Sequence, residues 1–328
     1  MDKKHLIICQ YIIISNHQYI NTMPEGPEIV ITTQYLKSKI YKKKMESVKV
    51  LSGRYTHEGL KGLYLTDSKQ PSDLLTIDEI NSKGKFMWMK MTDSKGKVIY
   101  MLNTFGMTGR WTFHKDSSCR VKFVIKSKSD STKTYDLYYA DPRNFGTIEF
   151  TSDEKVLQEK LNRLAPDVLK TIMSDDDLVG MIKRYTEKTR KNKNLVKVLM
   201  EDQGAIVSGI GNYLIAEILY DAKLNPHRTL DDLSDAEIKS LAHSIRKIAK
   251  YAYYDNDVGY MDYHKDFMKT HAQKVDSGDF PNYHPDIESN KQFRFKVYQK
   301  KKDPHDNPVE NDEIIKGRTI HWVKEVQV

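Results

Sequence analysis

The feature that most limits how this 328-residue chain can fold is a change of hydrophobic period near residue 150. Between Lys83 and Phe150 the pattern is strand-like, with segments in which apolar residues recur at every second position, as Val121, Phe123 and Ile125 do among Arg120, Lys122 and Lys126. Successive strand side chains point to opposite faces, so this pattern sends one face into a core and leaves the other in water. Tyr135, Leu137 and Tyr139 repeat it, and turn-forming Asp, Ser, Gly and Lys residues separate the segments. Several short strands of this kind predict a β-sandwich or barrel. Ahead of them, Pro27 to about Lys42 reads as a helix, with proline placed early, where its missing N–H costs little.

After residue 150 the period moves toward 3.6. Ser234 and Glu237 form a capping-box pattern before Ile238, Leu241, Ile245 and Ile248, which share one helical face. Ser174 with Asp177 marks another helix start in the same way. The polar, proline-containing stretch from Asp276 to Asn290 reads as a loop. Strand texture returns at Phe293, Phe295 and Val297 and again from Thr319 to Val323, around a polar turn near Asp303 to Asn311, which predicts a terminal hairpin. The expected class is therefore α+β: a β-sandwich with a leading helix, then a helical part that ends in a hairpin.

Lys and Arg outnumber Asp and Glu by 53 to 45, for a formal charge of +8 and a pI near 9.0. Such a balance favours a polyanionic partner, because lysines and arginines set against phosphates release condensed counterions. Only Cys9 and Cys119 occur, which excludes a disulfide framework and a four-cysteine zinc site and fits a reducing compartment. The apolar run from Leu6 to Ile14 is too short to span a bilayer, and no small-residue cleavage site follows it, so secretion is not expected.

Six short strings carry the chemistry. They are Met23-Pro24-Glu25-Gly26-Pro27-Glu28, Gly84-Lys85-Phe86, Phe105-Gly106-Met107-Thr108-Gly109, Asp141-Pro142-Arg143-Asn144-Phe145-Gly146, Asp202-Gln203 leading to Ser208-Gly209-Ile210-Gly211-Asn212, and Gly317-Arg318-Thr319. Alone, the first is a turn into a helix with acids near its positive end. In this order, over about Met23 to Trp322, the strings resemble the formamidopyrimidine-DNA glycosylase/endonuclease VIII family. The resemblance implies a bifunctional DNA glycosylase/lyase of base excision repair, with residues 23–150 as the catalytic sandwich. It further implies a helix–two-turn–helix DNA-binding domain over 151–275 and a loop and finger hairpin over 276–328.

By the same resemblance Pro24 matches the nucleophilic N-terminal amine and Glu25 the adjacent proton carrier. Lys85 matches a strand lysine that serves β-elimination and contacts phosphate, and Arg318 a finger arginine that grips phosphate and assists δ-elimination. Met107, Arg143 and Phe145 match side chains that fill the void left by an extruded nucleotide; sandwich core is the competing reading of Met107 and Phe145. Lys197 and Asn212 match phosphate contacts, with Asn212 as a cap and the N–H groups near Gly209 and Gly211 open to phosphate.

The chain departs from the family pattern in three places. Thr104 stands where a histidine is usual. The finger region lacks cysteine, and His305 with His321 makes a poor zinc set, so a zincless hairpin like that of endonuclease VIII-like proteins is expected. Residues 1–22 precede Met23, yet an internal proline has no amine, so this extension is expected to be absent from the active protein. Either translation starts at Met23 and methionine removal frees Pro24, or the chain is processed upstream.

The expected partner is damaged DNA, double-stranded and also single-stranded, bound by a monomer with no cofactor, metal or membrane contact. The expected location is intracellular, at DNA in the nucleus or at a cytoplasmic replication site, and oxidised pyrimidines are the favoured lesions. A catalytically silent nucleic-acid binder with the same helix–two-turn–helix element is the alternative. Glu25, Lys85 and Arg318 argue against it, since a binder needs no acid–base set.

Overall fold

The computed structural model describes residues 23–67, 74–127, 132–188, 193–201, 203, 206–254, 267 and 293–328. The expected extension 1–22 and the expected loop from Asp276 to Asn290 lie outside these residues, as does Asp202.

Helix α1 (Gly26–Ile40) opens the fold, with Pro27 in its first turn. Its faces serve two cores: Ile29, Leu36 and Ile40 pack into the sandwich, while Val30 and Ile31 pack among the downstream helices. One helix thereby joins both halves.

Eight strands follow: β1 (Lys44–Val50), β2 (Leu75–Lys83), β3 (Phe86–Thr92), β4 (Val98–Thr104), β5 (Arg110–Thr112), β6 (Cys119–Lys126), β7 (Thr134–Ala140) and β8 (Thr147–Thr151). A short helix α2 (Tyr55–Glu58) lies between β1 and β2. The strands form one antiparallel sheet in the order β5-β7-β6-β1-β2-β3-β4-β8. The sheet folds over itself into a sandwich. Phe123 of β6 packs against Phe150 of β8 with ring centroids 6.2 Å apart. The indole Nε1–H of Trp111 in β5 donates to Asn103 Oδ1 in β4 at 3.0 Å, so two strands far apart in the sheet order meet face to face. The alternation predicted from sequence is the reason: Val121, Phe123, Ile125, Leu137 and Tyr139 are all buried, each side chain of this size contributing about 1.5–3 kcal/mol on leaving water.

Downstream come α3 (Glu154–Arg163), α4 (Asp175–Lys188), α5 (Leu195–Leu199), α6 (Asn212–Ala222) and α7 (Asp235–Tyr254). Both predicted caps form. Ser174 and Asp177 exchange bonds at the start of α4, and Ser234 and Glu237 do so at α7, whose Ile238, Leu241, Ile245 and Ile248 are buried. No helix among the described residues is long and apolar enough to cross a membrane.

The terminal hairpin exists, with the segment expected from Thr319 to Val323 supplying one strand but without Phe293 to Val297 as the other. It consists of β9 (Glu310–Ile315) and β10 (Arg318–Trp322), joined through Lys316 and Gly317, with Gly317 at φ +75°. Phe293, Phe295 and Val297 form no strand. Phe293 and Phe295 pack their rings on Tyr213 instead, and the N–H groups of Lys296, Val297 and Tyr298 go to the buried carboxylate of Glu217 at 2.9–3.0 Å. A carboxylate that accepts three backbone donors replaces a partner strand, so the alternating pattern misled.

Candidate active site and nucleic-acid interface

A cleft of about 340 Å³ opens where sandwich, helices and hairpin meet. The head of α1 contributes Pro24 and Glu25, the β2–β3 turn Lys85, and the segment after β4 Met107; Leu164, Met200, Gln203 and Gly211 come from the helical side and Arg318 from the hairpin. Four residues expected to do chemistry, drawn from positions 24 to 318, therefore line one space.

Glu25 is the most constrained of them, 1% exposed. Its Oε2 accepts the N–H groups of Gly211 and Leu214, at 2.8 and 3.1 Å, and its Oε1 accepts that of Tyr213 at 2.8 Å. The carboxyl thus occupies the positive N-terminal end of α6. This corrects the expectation that those N–H groups stand open to phosphate, and that Asn212 caps the helix. Gly211 is the cap residue, and the Asn212 amide donates to the Thr319 carbonyl at 2.8 Å. Glu25 satisfies the helix end from across the domain junction, so no capping side chain is needed in the local sequence.

Burial, with the neighbouring Glu28, pushes the Glu25 carboxyl up to about 8, against the opposing pull of Lys85 and the backbone donors of Tyr213 and Leu214. Glu28 is itself buried, accepting the Glu25 N–H at 2.8 Å and the Tyr213 hydroxyl at 2.6 Å. Oε2 accepts two backbone donors and Oε1 accepts the Tyr213 N–H, and the Glu25 side chain also takes the Glu28 backbone N–H in a capping box at the start of α1. At neutral pH this is an acid with its proton on hand.

Lys85 sits in the two-residue β2–β3 turn rather than within a strand, its Nζ donating to the Ile210 carbonyl at 2.7 Å. Arg318 is exposed at the first position of β10, beside the Asn212–Thr319 bond. Lys197 is exposed on α5, outside the cleft lining.

The void-filling candidates project from two adjoining loops. Asp141 ties them together, accepting the Gly146 N–H at 2.7 Å and the Thr108 hydroxyl, while Arg120 holds the Asp141 and Pro142 carbonyls from beneath. Phe145 is 53% exposed and the Arg143 guanidinium lies 5.0 Å from its ring centroid; Met107 is half-buried at the cleft. Neither Met107 nor Phe145 is sandwich core, which corrects that reading: rigid loops hold both side chains outside the apolar interior. Thr104, which stands in place of the family histidine, pairs its hydroxyl with that of Thr147 at 2.7 Å.

Among the described residues no group of three or more His, Cys, Asp or Glu side chains stands ready for a metal ion. His305 is exposed, and His321 packs against Tyr298 with ring centroids 5.0 Å apart. The turn before β9 is organised by Asp303, which accepts the N–H groups of His305 and Asn307 and the Tyr220 hydroxyl at 2.8–3.0 Å.

Sequence reasoning missed Glu28, Tyr213, Leu164 and Met200, which reach the site only through tertiary packing; Glu28 alone had a local signal, its place in the Pro24 string.

Comparison with known proteins agrees with this fold. The formamidopyrimidine-DNA glycosylase N-terminal domain matches residues 23–148, the H2TH domain of the same glycosylases 164–260, and their C-terminal domain 285–328. The chain belongs to the formamidopyrimidine-DNA glycosylase family. As a member of that family it is a DNA glycosylase of base excision repair. The formamidopyrimidine-DNA glycosylase of Wolbachia pipientis from Culex pipiens is 29% identical over 231 residues, covering 68% of this chain and 76% of the relative. That of Mycoplasma genitalium is 27% identical over 235 residues, covering 69% and 74%. The fold is shared with the MutM (Fpg) protein of Thermus thermophilus, at a TM-score of 0.66 and 20% identity over 93% of this chain and 98% of that one. It is also shared with Lactococcus lactis Fpg in complex with DNA containing an oxidised pyrimidine, at a TM-score of 0.67 and 21% identity over 93% and 99%.

Proposed function

We propose that this glycosylase is bifunctional, releasing oxidised bases, pyrimidines foremost, and then cutting the strand by β,δ-elimination with Pro24 as covalent nucleophile. The reading rests above all on one observation: Pro24, Glu25, Lys85 and Arg318 line the same cleft. Damaged DNA lies between sandwich and helical domain, with the lesion nucleotide extruded toward that cleft and Met107, Arg143 and Phe145 filling the gap. Duplex is the main substrate and single strands a second one, bound by a monomer.

Pro24 nitrogen attacks C1′ of the extruded nucleotide, the base departs, and Glu25 supplies the proton that opens the sugar ring to an iminium. Lys85 then serves β-elimination of the 3′ phosphate, and Arg318 grips phosphate and assists loss of the 5′ phosphate. Lys197 and Asn212 add phosphate contacts on the helical side.

The reaction needs Pro24 to carry a free amine, so residues 1–23 are absent from the active protein. Met23 lines the cleft, and its removal frees both the amine and the space beside it. The sandwich of residues 23–150 then supplies most of the chemistry, residues 151–275 bind DNA, and residues 276–328 end in a zincless finger of the endonuclease VIII-like kind.

Borohydride tests the central step. Protein beginning at Pro24, reduced in the presence of duplex carrying an oxidised pyrimidine, is expected to form a covalent adduct at Pro24, located by peptide mapping. A protein that nicks this DNA yet never forms the adduct would sink the proposal.

Replacing Arg318 by Ala separates grip from chemistry. Binding to damaged duplex should weaken and the slope of log K against log salt should shrink by roughly one unit, the signature of one lost phosphate contact. On duplex already carrying an abasic site, products should shift toward the β-eliminated end, as resolved on a sequencing gel.

A further inference from the structure

The turn that carries Lys85 is closed by the β2–β3 ladder at Lys83 and Phe86 and is held on its other side from outside its own domain. Asp167, in the segment between α3 and α4, is 4% exposed and accepts the Gly84 N–H through Oδ2 at 2.7 Å. Its Oδ1 accepts the N–H groups of Leu169 and Lys170, both at 2.8 Å, which leaves the carboxylate no freedom to swing. Lys170 reaches the opposite side of the turn and donates from Nζ to the Ser82 carbonyl at 2.7 Å and to the Asn81 side chain. Lys83 donates to the Leu161 carbonyl at 2.9 Å. Gly84 permits the contact: it lies at φ +56°, and a Cβ there would sit 2.7 Å from Ser208 Oγ. The Asp167 segment is fastened in turn to the stretch before α6, with Ser208 N–H donating to the Pro166 carbonyl and Val168 N–H to the Ser208 carbonyl.

We infer that Asp167 and Lys170 are positioning residues that set the place of the Lys85 ammonium in the cleft and thereby the rate of strand cleavage. The inference rests on the proposed catalytic use of Lys85. Two observations carry it. The bonds fall on Ser82 and Gly84, at and beside the turn, and the Asp167–Gly84 bond is buried, where water does not substitute for it, with the Lys170–Ser82 bond partly buried beside it. A reacting group misplaced by about an ångström can cost up to roughly a hundredfold in rate. The fold gains a second consequence: the lysine is in register only when the helical domain is seated on the sandwich.

The test is a double-mutant cycle on duplex carrying a preformed abasic site, using the chain that begins at Pro24. Asp167→Asn should lower kcat for strand cleavage by about tenfold or more with KM little changed, because an amide group cannot accept from all three donors. Lys170→Met should act in the same direction with a smaller effect, and Asp167→Glu should recover part of the loss. Base release from lesion duplex in a single turnover should fall much less than cleavage. In a Lys85→Ala background Asp167→Asn should add almost nothing, since a residue that acts through Lys85 has nothing left to position. Multiplying defects in that background would overturn the inference and leave the proposed function standing. A Lys85→Ala protein that cleaves abasic duplex at the parent rate would overturn both. If Asp167→Asn does not fold, the same cycle is run with Lys170→Met and decides by the same criterion.

Discussion

A chain in which Met23 still precedes Pro24 is expected to release no base and to cut no strand, while the same chain beginning at Pro24 does both. An internal proline nitrogen is an amide, its lone pair delocalised into the carbonyl, and it neither attacks C1′ nor forms an iminium. Freed, it is a secondary amine near the α-amino range of about 7.7–8.0, so a useful neutral fraction is present at physiological pH. The retained methionine would also occupy part of the cleft that it lines. The expected loss is at least roughly a thousandfold, the scale on which removal of a covalent nucleophile acts. Timed gel assays of the two chains on one lesion duplex, each N-terminus verified by mass spectrometry, measure it. Comparable rates from both chains would remove Pro24 from the mechanism.

Glu25→Gln should cost base release about two orders of magnitude or more, since the amide cannot exchange the proton that the opening sugar takes up. The structure adds a stability term. Both oxygens of Glu25 accept backbone N–H groups, and a glutamine has one acceptor oxygen. Placed to serve Gly211 and Leu214, it turns its amide hydrogens toward the Tyr213 N–H, which should cost about 1–3 kcal/mol by thermal unfolding.

The pH profile supplies the sharper signature. With its carboxyl pushed up to about 8, Glu25 holds its proton below that pH and loses it above, so excision should fall on the alkaline side of about 8. The Pro24 amine works in the opposite sense, becoming neutral as pH rises, so the parent should show a bell centred near that value. In Glu25→Gln the alkaline limb should vanish while the acid limb remains. An unchanged bell in the variant would assign the proton to another group.

Arg318, Lys85 and the Pro24 string were legible as candidates through the family strings that contain them, and the structure brings all three to one cleft. Arg318 follows Gly317 at the hairpin turn, and Lys85 follows Gly84. The helix caps at Ser174 and Ser234 were legible locally, since donor and acceptor lie three residues apart. Phe293 to Val297 show the limit. Alternation signals one buried face, but whether a strand forms depends on what meets the backbone, and here that is Glu217 from another helix. Asn212 failed as a cap on the same ground, because Glu25 had already taken the helix end.

The sequence by itself determined the fold class, because periodicity, caps and turn residues act over a few positions and survive in any packing, and the family, because its short strings keep their order along the chain. Only the tertiary structure decided that Glu25 sits buried at the head of α6 with its carboxyl pushed up to about 8, and that the turn carrying Lys85 is held by Asp167 and Lys170. Those properties arise from desolvation and from hydrogen bonds between residues far apart in the chain, and neither exists until the sandwich and the helices close on one another.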